Sequence, residues 1–178
     1  LSLSLAGFGK HVLLFDADMG LANANILLGI KPASTLQDVI YGSTSLENIV
    51  HPGPRGIGII PGGTGVVSLT DLPEKKITDL LSELEKLRLT YDYIVVDTAA
   101  GISSDVTAFA RASDCPLIVL CPEPAAFLDA YATVKVLNID FGIKTFHVVA
   151  NKVVNQKAGK ELFIKFQKVC DQFLKVNL

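Results

Sequence analysis

The sequence has no tryptophan, one methionine and three cysteines in 178 residues, and only 19% of it is charged. Cys115, Cys121 and Cys170 fit no metal-ligand spacing, and two of them flank an apolar run, so they read as reduced cysteines in a cytoplasmic core. Long apolar runs are missing too. Those present, such as residues 117–121, are bounded by prolines and fall far short of the roughly 20 residues a membrane-spanning helix needs, so nothing here is expected to span a bilayer. A basic surplus is also absent. The net charge of −2 and a pI near 5.9 supply no overall field for a sequence-independent grip on nucleic acid, and none is expected as a partner. Neither a charged leader with a cleavage site nor a linker, repeat or low-complexity tract divides the chain.

What is present is apolar. At 49% apolar residues and a mean hydropathy of +0.42, much of the chain must be buried on both faces of a sheet or against a partner. The length suits one α/β domain with one core, so residues 1–178 are read as a single nucleotide-binding domain. Leu1-Ser2-Leu3-Ser4-Leu5-Ala6 resembles the tail of a helix, and residues 173–178 stop while still largely apolar, so both ends read as cut.

Gly7-Phe8-Gly9 supplies a helix stop, and Val12-Leu13-Leu14-Phe15 is an apolar run of the kind found in buried parallel strands, ending at Asp16. Residues 58–60, 93–96, 117–120 and 146–149 are further buried-strand candidates. Between them lie segments of helical spacing. In residues 74–89, Ile77, Leu80, Leu81, Leu84 and Leu87 share one face, and residues 129–137 and 160–174 read as further amphipathic helices. This β-α-β-α order predicts an α/β fold with a mostly parallel sheet, helices on both faces and right-handed crossovers.

Ligands of open α/β sheets bind outside the carboxyl ends of the strands, so the polar residues after each apolar run are the candidates. Asp16-Ala17-Asp18-Met19-Gly20 places two acids and a glycine turn directly after a strand. Tyr93-Ile94-Val95-Val96-Asp97 delivers a third acid to the same edge. Strand-end carboxylates beside small-residue turns suit magnesium-nucleotide chemistry, one acid holding a metal-bound water and another orienting the attacking water. The competing reading is that these aspartates only cap the helices that follow.

Taken together, the motifs resemble the MinD/ParA family of P-loop ATPases, whose second strand ends in Asp-x-Asp and whose next central strand carries an Asp-Thr/Ser-x-x-Gly form of Walker B. Leu21-Ala22-Asn23-Ala24-Asn25-Ile26-Leu27-Leu28-Gly29, Ile59-Ile60-Pro61-Gly62-Gly63, Asp97-Thr98-Ala99-Ala100-Gly101-Ile102-Ser103, Pro122-Glu123-Pro124 and Asp129-Ala130-Tyr131 look most like the branch that sets flagellar number and placement. The resemblance implies that Asp18 orients or activates the attacking water and that Asp16 belongs to the same switch. It further implies that Asp97 acts on Mg2+ through water, and that Gly20 and Asn151 contact the ATP or ADP, Asn151 through the adenine. Without the resemblance, Asn151 reads as a strand-end turn residue.

One family element has no counterpart. The Walker A loop should precede the helix remnant, together with a strand in the middle of the sheet, and without that strand two neighbouring strands would present unpaired edges. Gly7-Phe8-Gly9-Lys10 is a decoy, because it precedes a strand and has His11 where Ser or Thr is required. Gly62-Gly63-Thr64-Gly65 could form an anion nest but has no following lysine, so it reads as a plain turn.

The resemblance therefore implies an ATPase switch: ATP closes a face-to-face homodimer, and hydrolysis opens it. This fragment alone is expected to be inactive. Implied partners are a FlhF-type GTPase, flagellar switch proteins or a flagellar transcription activator. A C-terminal amphipathic helix beyond Leu178 would attach the whole protein peripherally to the cytoplasmic face of the cell membrane. The rivals are a septum-placing ATPase, a DNA-partition ATPase, which would need a basic dimer surface, and a non-hydrolysing scaffold of the same fold. A dinucleotide-binding oxidoreductase ranks last for want of Gly-x-Gly-x-x-Gly at a strand-to-helix turn.

Overall fold

The computed structural model describes residues 1–18, 29, 34–62 and 72–178. Its contacts fall into two compact units, Leu1–Ala99 and Ala100–Leu178.

The first unit runs α1 (Ser2–Gly7), β1 (Val12–Asp16), α2 (Leu36–Ile40), β2 (His51–Pro52), β3 (Gly58–Ile60), α3 (Glu74–Leu87) and β4 (Tyr93–Asp97). Its sheet has the order β2-β3-β1-β4, with β1 parallel to both β3 and β4 and β2 antiparallel to β3. Sitting between two strands, β1 loses all access to water at Val12, Leu13 and Phe15, and Ile59 and Ile60 of β3 are equally buried. This explains why both runs are apolar without alternation.

Helix α1 ends in a Schellman turn. Gly9, at φ 77°, donates its N–H to the Ala6 carbonyl, and Lys10 donates to that of Leu5. The Gly7-Phe8-Gly9-Lys10 segment is thus a helix stop that feeds β1. Helix α3 buries Ile77, Leu80, Leu84 and Leu87. It ends two residues before the expected position, leaving Leu89 almost fully exposed. Its polar side ties down the irregular chain beside it: Lys76 Nζ donates to the Ile40 carbonyl at 2.8 Å, and Glu83 accepts the Leu46 N–H at 2.7 Å.

The second unit runs α4 (Ser104–Ala112), β5 (Leu117–Leu120), α5 (Pro124–Ile139), β6 (His147–Ala150) and α6 (Gln156–Phe173), with β5 and β6 parallel. Ile118, Leu120, Val134, Leu137, Phe146, Phe166 and Cys170 form its core, and Phe127 meets Phe166 edge to face at 5.3 Å. Helix α5 begins at Pro124, five residues before the expected start, because proline is well suited to a first helical turn where its missing N–H costs nothing. Asn155 caps α6 by accepting the Ala158 N–H at 2.9 Å. The apolar tail folds back, burying Leu174 and Val176 and bridging Asn177 to Thr145.

Two expectations need correction. The runs at 93–96, 117–120 and 146–149 are not buried throughout: Leu117 and Val119 are exposed while Ile118 and Leu120 are not. The reason is one-sided covering. The core around β5 and β6 lies on one face, and β4 and β5 each keep one edge with no strand partner among the described residues. Nor are all three cysteines core residues. All are free thiols, but Cys115 is exposed and only Cys170 is buried, where burial and then the neighbouring Asp171 push its pKa up to about 11 and keep it protonated.

Removing the Phe166 ring would leave a cavity beneath β5 and β6. Phe166→Ala is expected to cost about 3–5 kcal/mol in urea unfolding followed by circular dichroism, and a loss below about 1 kcal/mol would contradict this account of the core.

Candidate functional site

In the first unit the parallel β1–β4 ladder runs in register to its last pair, which sets Asp16 of β1 against Asp97 of β4. One residue on, the Ala17 N–H still donates to the Asp97 carbonyl at 2.8 Å, so the chain leaving β1 stays fastened to the end of β4. Asp16 is 3% exposed, and its Oδ1 accepts the Asp18 N–H at 3.3 Å. That bond makes a local Asx-type turn, which bends the chain and presents Asp18 at the strand end. Asp16, Asp18 and Asp97 are therefore brought together, with Asp16 built into the turn and Asp18 partly open.

The other two charges register on Asp97. Asp97 is exposed as a residue, yet its carboxyl loses water at the strand end, and this desolvation, followed by repulsion from Asp16 and then Asp18, holds its pKa above the usual carboxylate range. A cation among the three would relieve that repulsion. Among the described residues, no group of three His, Cys, Asp or Glu side chains is placed to hold a metal ion. Gly20, and Gly63 to Gly65 of the other candidate turn, lie outside the described residues.

Asn151 belongs to the second unit. It follows β6, and its N–H donates to the Leu120 carbonyl at 2.8 Å, which continues the β5–β6 ladder and leaves the residue exposed at the carboxyl edge. Lys152, next to it, has φ 54°, and its ammonium lies 3.8 Å from Glu123 in the loop after β5. Two groups escaped the sequence reading. Asp105, 6% exposed, accepts a short hydrogen bond from the Ser103 hydroxyl at the start of α4, and Thr133 Oγ1 of α5 donates to the Gly101 carbonyl at 3.4 Å. The available signal was Ser103-Ser104-Asp105 just after a glycine turn, a helix-start pattern.

No family model matches the chain. The antiactivator FleN of Pseudomonas aeruginosa is 43% identical over 178 residues, covering all of this chain and 64% of that protein. The flagellum site-determining protein YlxH of Helicobacter pylori is 36% identical over 169 residues, 95% of this chain and 57% of that one. The MinC:MinD cell division complex of Aquifex aeolicus contains a chain that matches 99% of this one with a TM-score of 0.75 at 26% identity, with 70% of that chain covered. The chain belongs to the MinD/ParA family of P-loop ATPases. Another family structure, MinD of Pyrococcus horikoshii complexed with Mg-ADP, matches 90% of this chain and 68% of that one with a TM-score of 0.69 at 22% identity, which speaks for the fold alone. The FleN and YlxH matches point to the flagellar branch, also called FlhG. The chain spans 64% and 57% of the length of these two curated relatives. Among the described residues no helix is long and apolar enough to cross a membrane.

The raised pKa of Asp97 has a sign that can be measured. Its native carboxyl binds a proton more readily than the unfolded one, so stability falls as pH rises from about 3.9 through the raised native value. Asp97→Asn is thus expected to melt at a higher temperature than the parent at pH 7 and to lose that advantage below about pH 3.9, where both carboxyls are neutral. Equal melting temperatures at pH 7 would contradict the repulsion.

Proposed function

We propose that this chain is the nucleotide-switch region of an ATPase that regulates flagellar number and placement. ATP closes a face-to-face homodimer, and hydrolysis to ADP and phosphate opens it. The observation that carries this reading is the meeting of Asp16, Asp18 and Asp97 at the carboxyl ends of two parallel strands, the edge where such sheets bind ligands.

Each acid has a distinct part. Asp18, on an open turn, orients the attacking water and takes up its proton as it adds to the terminal phosphorus. Asp16 holds that turn through the Asp18 N–H and acts as a positioning residue. Asp97 accepts hydrogen bonds from the water shell of Mg2+, and its mutual repulsion with the other acids fits a cation there. Magnesium, when bound with the nucleotide, neutralises phosphate charge. Asn151, exposed at the edge of β5 and β6, reads the adenine, and Gly20 lets the chain approach the nucleotide.

Residues 1–178 form one nucleotide-binding domain in this reading, which is supported by the match of a chain of the Aquifex aeolicus MinC:MinD complex to 99% of this one. The names of FleN and YlxH support a flagellar role over a septal or DNA-partition one. A FlhF-type GTPase, flagellar switch proteins or a flagellar transcription activator are the partners. Peripheral contact with the cytoplasmic face of the membrane comes through a C-terminal helix outside this chain.

The test is ATP turnover with magnesium on the full-length protein and its Asp18→Ala variant, with dimerisation followed by light scattering. Turnover is expected to fall about 100-fold or more in the variant while ATP-dependent dimers persist. A parent protein that dimerises but never hydrolyses would replace the switch with a scaffold. Asn151→Ala is expected to raise the KM for ATP about 10-fold or more with kcat little changed, and an unchanged KM would remove Asn151 from the base site.

A further inference from the structure

The net charge of −2 conceals a steep asymmetry. Residues 144–178 carry seven lysines, no arginine and two acids, a surplus of five positive charges, while residues 1–143 carry nine basic and sixteen acidic residues, a surplus of seven negative ones. The basic fifth of the chain is organised by α6. Gly159, Phe166 and Cys170 of that helix face the core of the second unit, and Lys157, Lys160, Ile164 and Lys168 recur at steps of three and four residues along the exposed side, with Lys165 beside them.

Glu161 and Asp171 share that side, leaving four lysines against two acids on the helix. None of these four ammonium groups has an ion-pair or hydrogen-bond partner among the described residues. From Lys157 to Lys168 the stripe is about 17 Å long at the rise of an α-helix. Ile164, 48% exposed, stands in its middle.

We propose that the lysine face of α6 lies on an anionic phospholipid surface. Charge complementarity selects an anionic partner, since lysine-rich clusters on an amphipathic helix bind acidic headgroups. Two features favour lipid over nucleic acid. All the cations are lysines, whose long apolar stems can rest on a bilayer while the ammonium groups reach the headgroups, and arginine, the residue suited to bidentate phosphate reading, is absent. An apolar side chain also sits inside the basic stripe, which suits an interface with an acyl boundary beneath it. This inference rests on the membrane contact of the proposed function and assigns α6 a share in it, separate from any helix outside this chain.

The experiment is co-sedimentation of the full-length protein, with ATP, on vesicles of phosphatidylcholine with and without phosphatidylglycerol, at low and high salt. ATP turnover is read in the same samples. Lys157→Gln/Lys160→Gln/Lys168→Gln keeps good helix formers at each position and is expected to lower partition onto the anionic vesicles on the order of 100-fold, and to flatten its salt dependence. The same charge change elsewhere, Lys10→Gln/Lys75→Gln/Lys86→Gln, is expected to leave partition within about threefold of the parent. Ile164→Gln should weaken it several-fold with its salt dependence intact. Parent-like binding of the α6 triple variant, an equal loss in the control triple, or an indifferent Ile164→Gln would overturn the assignment. So would loss of duplex DNA binding in the α6 variant while vesicle binding stays intact. Charge-dependent vesicle binding without turnover would refute the ATPase reading and leave this inference standing, and turnover without it would do the reverse.

Discussion

The parallel pairing of β1 with β4 is the constraint on which the candidate site depends. In a parallel ladder both strands end at the same edge, so register alone decides whether side chains from distant parts of the sequence meet. Burial of Val12, Leu13 and Phe15 holds β1 against slipping, because a shift by one residue would carry His11 or Asp16 into the apolar positions that Val12 and Phe15 fill. Asp16 and Asp97 are therefore opposed, and the Ala17 N–H carries the ladder one bond further into the turn. The result is a cluster of like charge that the sheet holds together against its own repulsion. Such a cluster costs stability, and the cation of the proposed function would relieve it.

The second unit uses the same geometry for a different end. Its parallel strands bring the Pro122-Glu123-Pro124 loop and Asn151-Lys152 to one edge, and the backbone of Asn151 is pinned by the Leu120 carbonyl, so that its side chain is not needed to shape the turn. A side chain released from structural work in this way is available for a ligand. Asp16 is the opposite case, a carboxylate whose hydrogen bond to Asp18 makes it part of the scaffold that aims another acid. Charge is divided along the chain as well, with the acids concentrated toward residues 1–143 and the lysines toward α6. A whole-chain average of −2 hides a local field that an anionic surface would meet.

The sequence by itself determined the class of the fold, the positions of the principal strands and the acids that end β1 and β4. Continuous apolar runs of four or five residues between helical periods have few alternatives to a parallel sheet, and Asp-x-Asp and Asp-Thr-Ala-Ala-Gly directly after such runs mark its ligand edge. Only the tertiary structure decided the rest. Helix α2 is five residues long and β2 only two, too short for periodicity to register; Lys76 holds the end of α2, Glu83 the segment between them at Leu46, and pairing with β3 holds β2. Whether an apolar strand is buried on one face or two depends on what packs against it, which is why β1 and β5 look alike as sequence and differ in exposure. The division between the buried acid that shapes the turn and the partly exposed one likewise involves the bond from Asp18 N–H to Asp16, and a bond between neighbours in Asp-x-Asp becomes visible only once the backbone has bent to make it.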